Sequence, residues 1–324
     1  MTEQAPDLKA LIRRLEKRHQ KKQAATALIA GTAVLGLTAL IAPLFAQEKL
    51  PEAIVSAPLA VPASASTAFE SAEVYGKAAI VYDLATGETL YEKNSRSQLP
   101  LASLTKLLTV YAAADVLAEG STVRISDSAL LSDGESGFTS GESFAFADLA
   151  RLALVSSSND ATAAIAETAS VTRAVSGKNL LAGAASAAGL SQTYALNGTG
   201  LDESTSVSGG YGSARDVAIL AGALLAKAPE IARASVEPSI TIASREGVVH
   251  TLPNTNPDVV RIPNVLLSKT GFTDLAGGNL AVVYDAGIGH PVAIVVLGST
   301  REGRFADVNA LMRRANEHFG GVTR

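Results

Sequence analysis

Apolar positions change their spacing along the chain, and each spacing predicts a different element. From Ala24 to Ala46 they run almost unbroken, and Gln23–Gln47 holds no charged residue. As a helix that run is about 35 Å long, enough to cross a bilayer. From Gln47 to Tyr75 the period disappears and Ala, Pro and Ser accumulate, the composition of a semi-flexible spacer. Lys77–Leu84 and Thr89–Lys93 are β-type runs joined by Ala85-Thr86-Gly87, which predicts an opening hairpin. Leu104, Leu107, Leu108 and Tyr111 then fall at helical spacing and predict a helix from Ser103 to about Glu119, packed on a core.

Gly, Ser and Asp dominate Ser126–Glu142, as in an irregular loop. A short apolar helix is predicted over Asp148–Val155. A second begins at Asn159 or Asp160 and carries Ala161, Ala164, Ile165 and Thr168. Further helix is predicted for Thr172–Ala188 and Ala214–Ala226. The chain ends in strands at Ser239–Ala243, Val265–Thr270, Leu280–Asp285 and Val292–Gly298, and a last helix over Arg304–Phe319. Strands, then helices, then strands imply an α+β domain whose antiparallel sheet draws on both chain ends and is flanked by helices and a helical subdomain. The organisation is therefore a basic segment (1–22), a membrane anchor (23–47), a linker (48–75), one domain (76–320) and a short tail (321–324) with no folded addition after Phe319.

Composition narrows the function. With 324 residues, 47% of them hydrophobic and 18% charged, the chain can build a full globular core. A formal net charge of −4 gives no electrostatic case for nucleic acid. The absence of cysteine excludes thiol catalysis, disulfides and thiolate metal sites. Lys9, Arg13, Arg14, Lys17, Arg18, Lys21 and Lys22 precede the apolar run, whereas Lys49 alone follows closely, beside Glu48 and Glu52. That asymmetry places the N-terminus in the cytoplasm and the domain outside the membrane. A cleaved signal peptide is the rival, but the run exceeds a usual h-region and Leu44 occupies the −3 position before Ala46.

Candidate chemistry centres on Ser103 in PLASLTKLLTVY. Lys106 lies three residues on, on the same helical face, so its amine can reach the Ser103 hydroxyl. The helix start adds unpaired N–H groups and a positive dipole end suited to an oxyanion. S-x-x-K alone is common, and the bland reading is an N-cap serine with a solvated lysine. Ser157-Ser158-Asn159, between two helices, offers a hydroxyl and a carboxamide to one cleft, or is an ordinary polar loop. Lys269-Thr270-Gly271 ends an apolar strand, where Gly271 allows close backbone approach and Lys269 offers a cation. Of the four histidines, His19 and His318 lie near the ends, and His250 and His290 read as strand-edge or turn residues. No G-x-S-x-G elbow, H-E-x-x-H pair or phosphate-binding glycine loop occurs, and no cofactor or metal is implied.

The three groups occur in that order along the chain, and together they resemble the serine D-alanyl-D-alanine carboxypeptidases, the low-molecular-weight penicillin-binding proteins with a β-lactamase-like fold. The resemblance covers about Gly76 to Phe319. AAIVYDLATGETLYEKN is similar to that family's opening hairpin, LNGTGLD to its loop before GYGSARDVAILA, and NTN (Asn254–Asn256) with SKTGFTDLAGGNLAV to its closing strands. Leu101 stands where a second proline is common, and Gly198 where proline usually follows the asparagine.

The resemblance implies that Ser103 attacks the bond between two D-alanines of a peptidoglycan stem peptide, with Lys106 as base. It gives Ser157 the proton transfer, Asn159 the substrate peptide groups, and Lys269 and Thr270 the terminal carboxylate. Gly271 and the N–H groups of Ser103 and Phe272 complete the site. β-Lactams are then covalent ligands. A D,D-endopeptidase shares all three motifs. A class A β-lactamase needs a glutamate shortly before a Leu-Asn pair, and Gln192-Thr193-Tyr194-Ala195 before Leu196-Asn197 contains no acid. A catalytically silent wall-binding scaffold is the non-enzymatic alternative, against which every reactive position is intact.

Overall fold

The computed structural model describes residues 67–322 apart from 71, 135, 136 and 288. The basic segment, the apolar run and the spacer as far as residue 66 lie outside the described residues. Among the described residues no helix is long and apolar enough to cross a membrane.

Twelve strands and seven α-helices are assigned among the described residues. The first hairpin is β1 (Ala78–Asp83) and β2 (Thr89–Lys93), followed by β3 (Leu99–Pro100), a 3-10 turn at Ala102–Leu104 and α1 (Thr105–Ala113). Next come β4 (Thr122–Arg124), β5 (Ser143–Ala145), α2 (Phe146–Ser156), α3 (Asn159–Arg173) and α4 (Gly177–Ala187). β6 (Tyr194–Ala195), β7 (Gly210–Gly212), α5 (Ala214–Lys227) and α6 (Pro229–Ala234) lead to the hairpin β8 (Ser239–Ala243) and β9 (Val249–Pro253). β10 (Val265–Thr273), β11 (Gly277–Asp285), β12 (Pro291–Ser299) and α7 (Gly303–Val322) close the chain.

The main sheet is antiparallel, in the order β10-β11-β12-β1-β2, and so joins both chain ends as the sequence predicts. Strands β1, β11 and β12 are almost wholly buried because both faces are covered, which is why they read as continuous apolar runs. Alternate residues sort to opposite faces. Ile80, Val283, Val295 and Leu297 join the core beneath the helices, whereas Val81, Val282, Ile294 and Val296 pack with Val308, Leu311 and Met312 of α7. Phe69 and Val74 belong to that second core, and Asp307 accepts hydrogen bonds from the N–H groups of Tyr75 and Gly76. The end of the expected spacer is thus part of the folded body, since burying Phe69 outweighs the lack of periodicity around it.

All nine residues of α1 are buried, so this helix is the hub between sheet and helical subdomain rather than an amphipathic surface helix. It ends at Ala113, short of the expected Glu119. Its final turn tightens into bonds from Asp115 N to Ala112 O and from Val116 N to Ala113 O, and Gly120 leads into β4. The helix expected over Thr172–Ala188 begins at Gly177, because the helix before it runs on to Arg173. Ala174, at φ 56°, breaks α3, and Ser176 caps α4 by accepting from Asn179 N at 3.3 Å.

β9 was not legible as a strand, and its pattern explains why. Val249 is exposed while His250 is buried, the reverse of the usual alternation. His250 Nε2 lies 2.6 Å from Glu142 Oε2 between the rings of Phe138 and Phe144, so His250 is on an edge strand, as read from the sequence, but its ring is buried and hydrogen-bonded. Glu142 also accepts from Thr139 N and Oγ1, both at 2.7 Å. Burial alone would raise the Glu142 carboxyl pKa, but the bonds from Thr139 and His250 outweigh it and hold it below the ordinary value. His290 sits in the β11–β12 turn, as expected.

Candidate active site

The nucleophile candidate lies on the 3-10 turn before α1, where chain direction and backbone strain meet. Ala102 is held at φ 48°, a left-handed conformation that costs a residue with a Cβ about 1 kcal/mol or more. The following Ser103 is partly exposed although its neighbours are buried. Ser157 repeats the device at the C-terminus of α2, with φ 61°. There the left-handed turn ends one helix, and Ser158 caps the next by accepting from Ala161 N at 3.1 Å. Two strained residues thus bracket the cleft.

Lys106 Nζ lies 2.8 Å from Ser103 Oγ, 2.7 Å from Asn159 Oδ1 and 2.8 Å from the Thr199 carbonyl oxygen. The lysine is fully buried, and no carboxylate appears among these three acceptors. Burial pushes its pKa well below the ordinary lysine value, and the nearby Lys269 ammonium lowers it further. A neutral amine has two N–H bonds and one lone pair. Asn159 and Thr199 account for the two donors, which leaves the lone pair facing Ser103.

Lys269 belongs to β10, the edge strand of the sheet beside the Ala102–Leu104 turn. Its Nζ donates to Ser157 Oγ at 2.8 Å and to the Thr270 carbonyl at 2.9 Å. Desolvation lowers its pKa to about 7, helped by the Arg304 guanidinium. The two lysines therefore do not share one hydroxyl: each holds its own serine, and they act on each other through their charges. Thr270 Oγ1 bonds Thr255 Oγ1 at 2.7 Å, and Arg304 Nη1 donates to the Gly271 carbonyl at 2.6 Å. A Cβ on Gly271 would lie 2.9 Å from Leu101 O and 3.2 Å from Ser103 N, so only glycine lets the strand approach the nucleophile turn this closely. Phe272 follows on the same edge strand, under the guanidinium of Arg301 at 3.8 Å.

Of the eight sequence-predicted site residues, the structure joins Ser103, Lys106 and Asn159 in one hydrogen-bonded cluster and Ser157 and Lys269 in another, sets Gly271 against the Ser103 turn, and places Thr270 and Phe272 beside them on β10, where Thr270 bonds Thr255 and Phe272 meets Arg301. Sequence reasoning missed four contributors: the Thr199 carbonyl, the Asp133 carbonyl that accepts from Asn159 Nδ2, the Thr255 hydroxyl and Arg304. LNGTGLD and NTN marked the neighbourhoods of Thr199 and Thr255, but a carbonyl has no residue-type signature. Arg304 had no local signal. The departures are accommodated: Leu101 is buried in the core, and a Cβ on Gly198 would lie 2.9 Å from the Ala166 methyl.

Comparison with known proteins gives the same picture. The peptidase S11 model, D-alanyl-D-alanine carboxypeptidase, matches residues 64–301. D-alanyl-D-alanine carboxypeptidase DacF of Bacillus subtilis is 31% identical over 242 residues, 73% of this chain and 61% of that protein, so the chain spans less than two thirds of this relative's length. A D-alanyl-D-alanine endopeptidase of Pseudomonas aeruginosa is 32% identical over 251 residues, 74% of this chain and 77% of the relative. Penicillin-binding protein D2 from Listeria monocytogenes, solved in its cefotaxime-bound form, superposes with a TM-score of 0.63 at 26% identity, over 75% of this chain and 98% of the other.

Proposed function

This chain belongs to the D-alanyl-D-alanine carboxypeptidase family of serine peptidases, and on that premise we propose that it removes the terminal D-alanine from peptidoglycan stem pentapeptides through an acyl-enzyme on Ser103. The observation that carries this reading is the buried Lys106 amine, 2.8 Å from a partly exposed serine, with both of its N–H bonds occupied elsewhere.

Lys106 takes the Ser103 proton as Oγ bonds to the carbonyl carbon of the penultimate D-alanine. The N–H groups of Ser103 and Phe272, on the nucleophile turn and the edge strand, receive the oxyanion. Ser157, polarised by Lys269, passes a proton to the nitrogen of the terminal D-alanine as the C–N bond breaks. Asn159 holds the substrate's peptide groups, and Lys269 and Thr270 hold its carboxylate. Water then attacks the ester and releases the shortened peptide. β-Lactams acylate the same oxygen, and with no acid at Gln192–Ala195 the adduct leaves slowly.

We also propose that residues 24–46 anchor the chain in the cell membrane with the domain outside, on the charge asymmetry around that run. Incubation of the purified chain with stem pentapeptide tests the main reading: free D-alanine appears, and none does with Ser103→Ala. The endopeptidase reading is favoured by the Pseudomonas relative, and mass spectrometry of products from mixed muropeptides separates the two. Cut cross-links without D-alanine release would replace the carboxypeptidase reading.

A further inference from the structure

The carbonyl that fixes the second N–H of Lys106 lies in an irregular turn, and a backbone carbonyl in a turn stays aimed only if something holds the turn. One side chain does so. Asn197 Oδ1 accepts from Thr199 N at 3.2 Å, Thr199 Oγ1 at 3.0 Å and Gly200 N at 2.8 Å. Its Nδ2 donates to Leu201 O at 3.0 Å and to Glu203 Oε1 at 2.8 Å. The carboxamide thus makes more bonds than any alanine-sized replacement could restore, all within the turn that presents Thr199 O to Lys106.

The surroundings are built for the same seat. Gly200 is at φ 79°, and a Cβ there would overlap the Ala102 carbonyl, so the turn lies directly against the residue before the nucleophile. Asp202 ties the far end to the end of β10 and the turn after it through Thr273 Oγ1 at 3.0 Å and Leu275 N at 3.3 Å. Thr109 Oγ1 donates to Gly198 O at 2.7 Å from α1. The turn therefore touches both elements that carry the lysines.

We propose that Asn197 is a positioning residue for the base: it keeps the Thr199 carbonyl on Lys106 so that the neutral amine presents its lone pair to Ser103. This rests on the reading of Lys106 as base. The charged groups bonded to the turn or within it are Lys106, Asp202 and Glu203, and Lys269 acts on Lys106 through its charge. Without the carboxamide the carbonyl swings away, the amine loses the acceptor that fixes one of its two N–H bonds, and its lone pair is aligned for only part of the time.

The test uses benzylpenicillin, which probes acylation of Ser103 without needing the peptide substrate. Adduct formation by the full chain is followed by mass spectrometry across pH, for the native protein, Asn197→Ala and Asn197→Asp. Asn197→Ala is expected to slow acylation at the pH plateau by about 10- to 100-fold, the scale of a sub-ångström to ångström misplacement of a reacting group. Asn197→Asp keeps the oxygen that accepts from Thr199 and Gly200 but loses the two donors to Leu201 O and Glu203, so its plateau falls less than that of Asn197→Ala. Its new carboxylate favours the charged form of Lys106, so the acid limb moves up by about one pH unit. A purely structural role predicts no such shift. Native acylation rates in Asn197→Ala, or an unmoved acid limb in a folded Asn197→Asp, overturn the proposal, and the second variant decides if the first does not fold. Failure of the underlying reading looks different, since the native chain then forms no adduct at Ser103.

Discussion

Two regions of this protein bury ionisable groups, and they treat them in opposite ways. In the helical subdomain Glu142 and His250 face each other at 2.6 Å, and Glu142 takes two further bonds from Thr139. In the cleft Lys106 and Lys269 are as deeply buried, yet they are bonded to hydroxyls, carbonyls and a carboxamide, with no carboxylate among those partners. The first arrangement gives the buried carboxylate hydrogen-bond partners and serves the fold. The second leaves a cation uncompensated, which shifts the amine toward its neutral, basic form. A base is obtained at the expense of stability.

The largest effect should come from removing the base. Lys106→Met is expected to slow acylation by about 10³-fold, within the usual range for general-base loss. The same variant should melt no lower than the native chain, because it replaces a fully buried, desolvated amine that has no carboxylate partner with an apolar side chain of similar length. Adduct kinetics and calorimetry on one sample check both, and a strongly lowered melting point would place Lys106 with the structural ion pairs.

Next is the pH dependence of stability. The folded pKa of Lys269 is about 7, below the unfolded value of about 10.4. Between those values the unfolded state binds more protons, so stability rises with pH through that window, by something of the order of 4 kcal/mol. Chemical denaturation should show that slope, and Lys269→Met should flatten it. An unchanged slope would mean the charge is compensated after all.

Glu142→Ala tests the other region. It strands His250 and two Thr139 donors, and should cost about 3 kcal/mol of stability. Acylation by the fraction that remains folded should change little. Smaller still is the contrast between two left-handed alanines. Ala174→Gly, at the end of α3, should stabilise by up to about 1 kcal/mol without touching activity. Ala102→Gly should stabilise similarly but slow acylation, because the strained residue sets the direction of Ser103.

Much of this was legible in the chain. The main-sheet strands were found because both faces are apolar, and the site residues because S-x-x-K, S-x-N and K-T-G are patterns of residue type. The misreadings have local causes. The helix after Ser103 stops at Ala113 because its last turn tightens, with no proline or glycine there to announce it, and α3 runs past Thr172 to end at a left-handed Ala174, a conformation that residue type does not announce. β9 was missed because it buries a histidine and exposes a valine, a choice that makes sense only once Glu142 is opposite.

The amino-acid order by itself determined which side chains could react, which segments had to be buried, and that both ends of the domain contribute to one sheet, since these follow from residue type and period. What only the tertiary structure decided is the protonation chemistry. Lys106 and Lys269 are ordinary lysines until folding removes their water and places them near each other. The bonds that aim Lys106 come from a carbonyl and a carboxamide distant along the chain, and long-range electrostatics leaves no local trace in sequence.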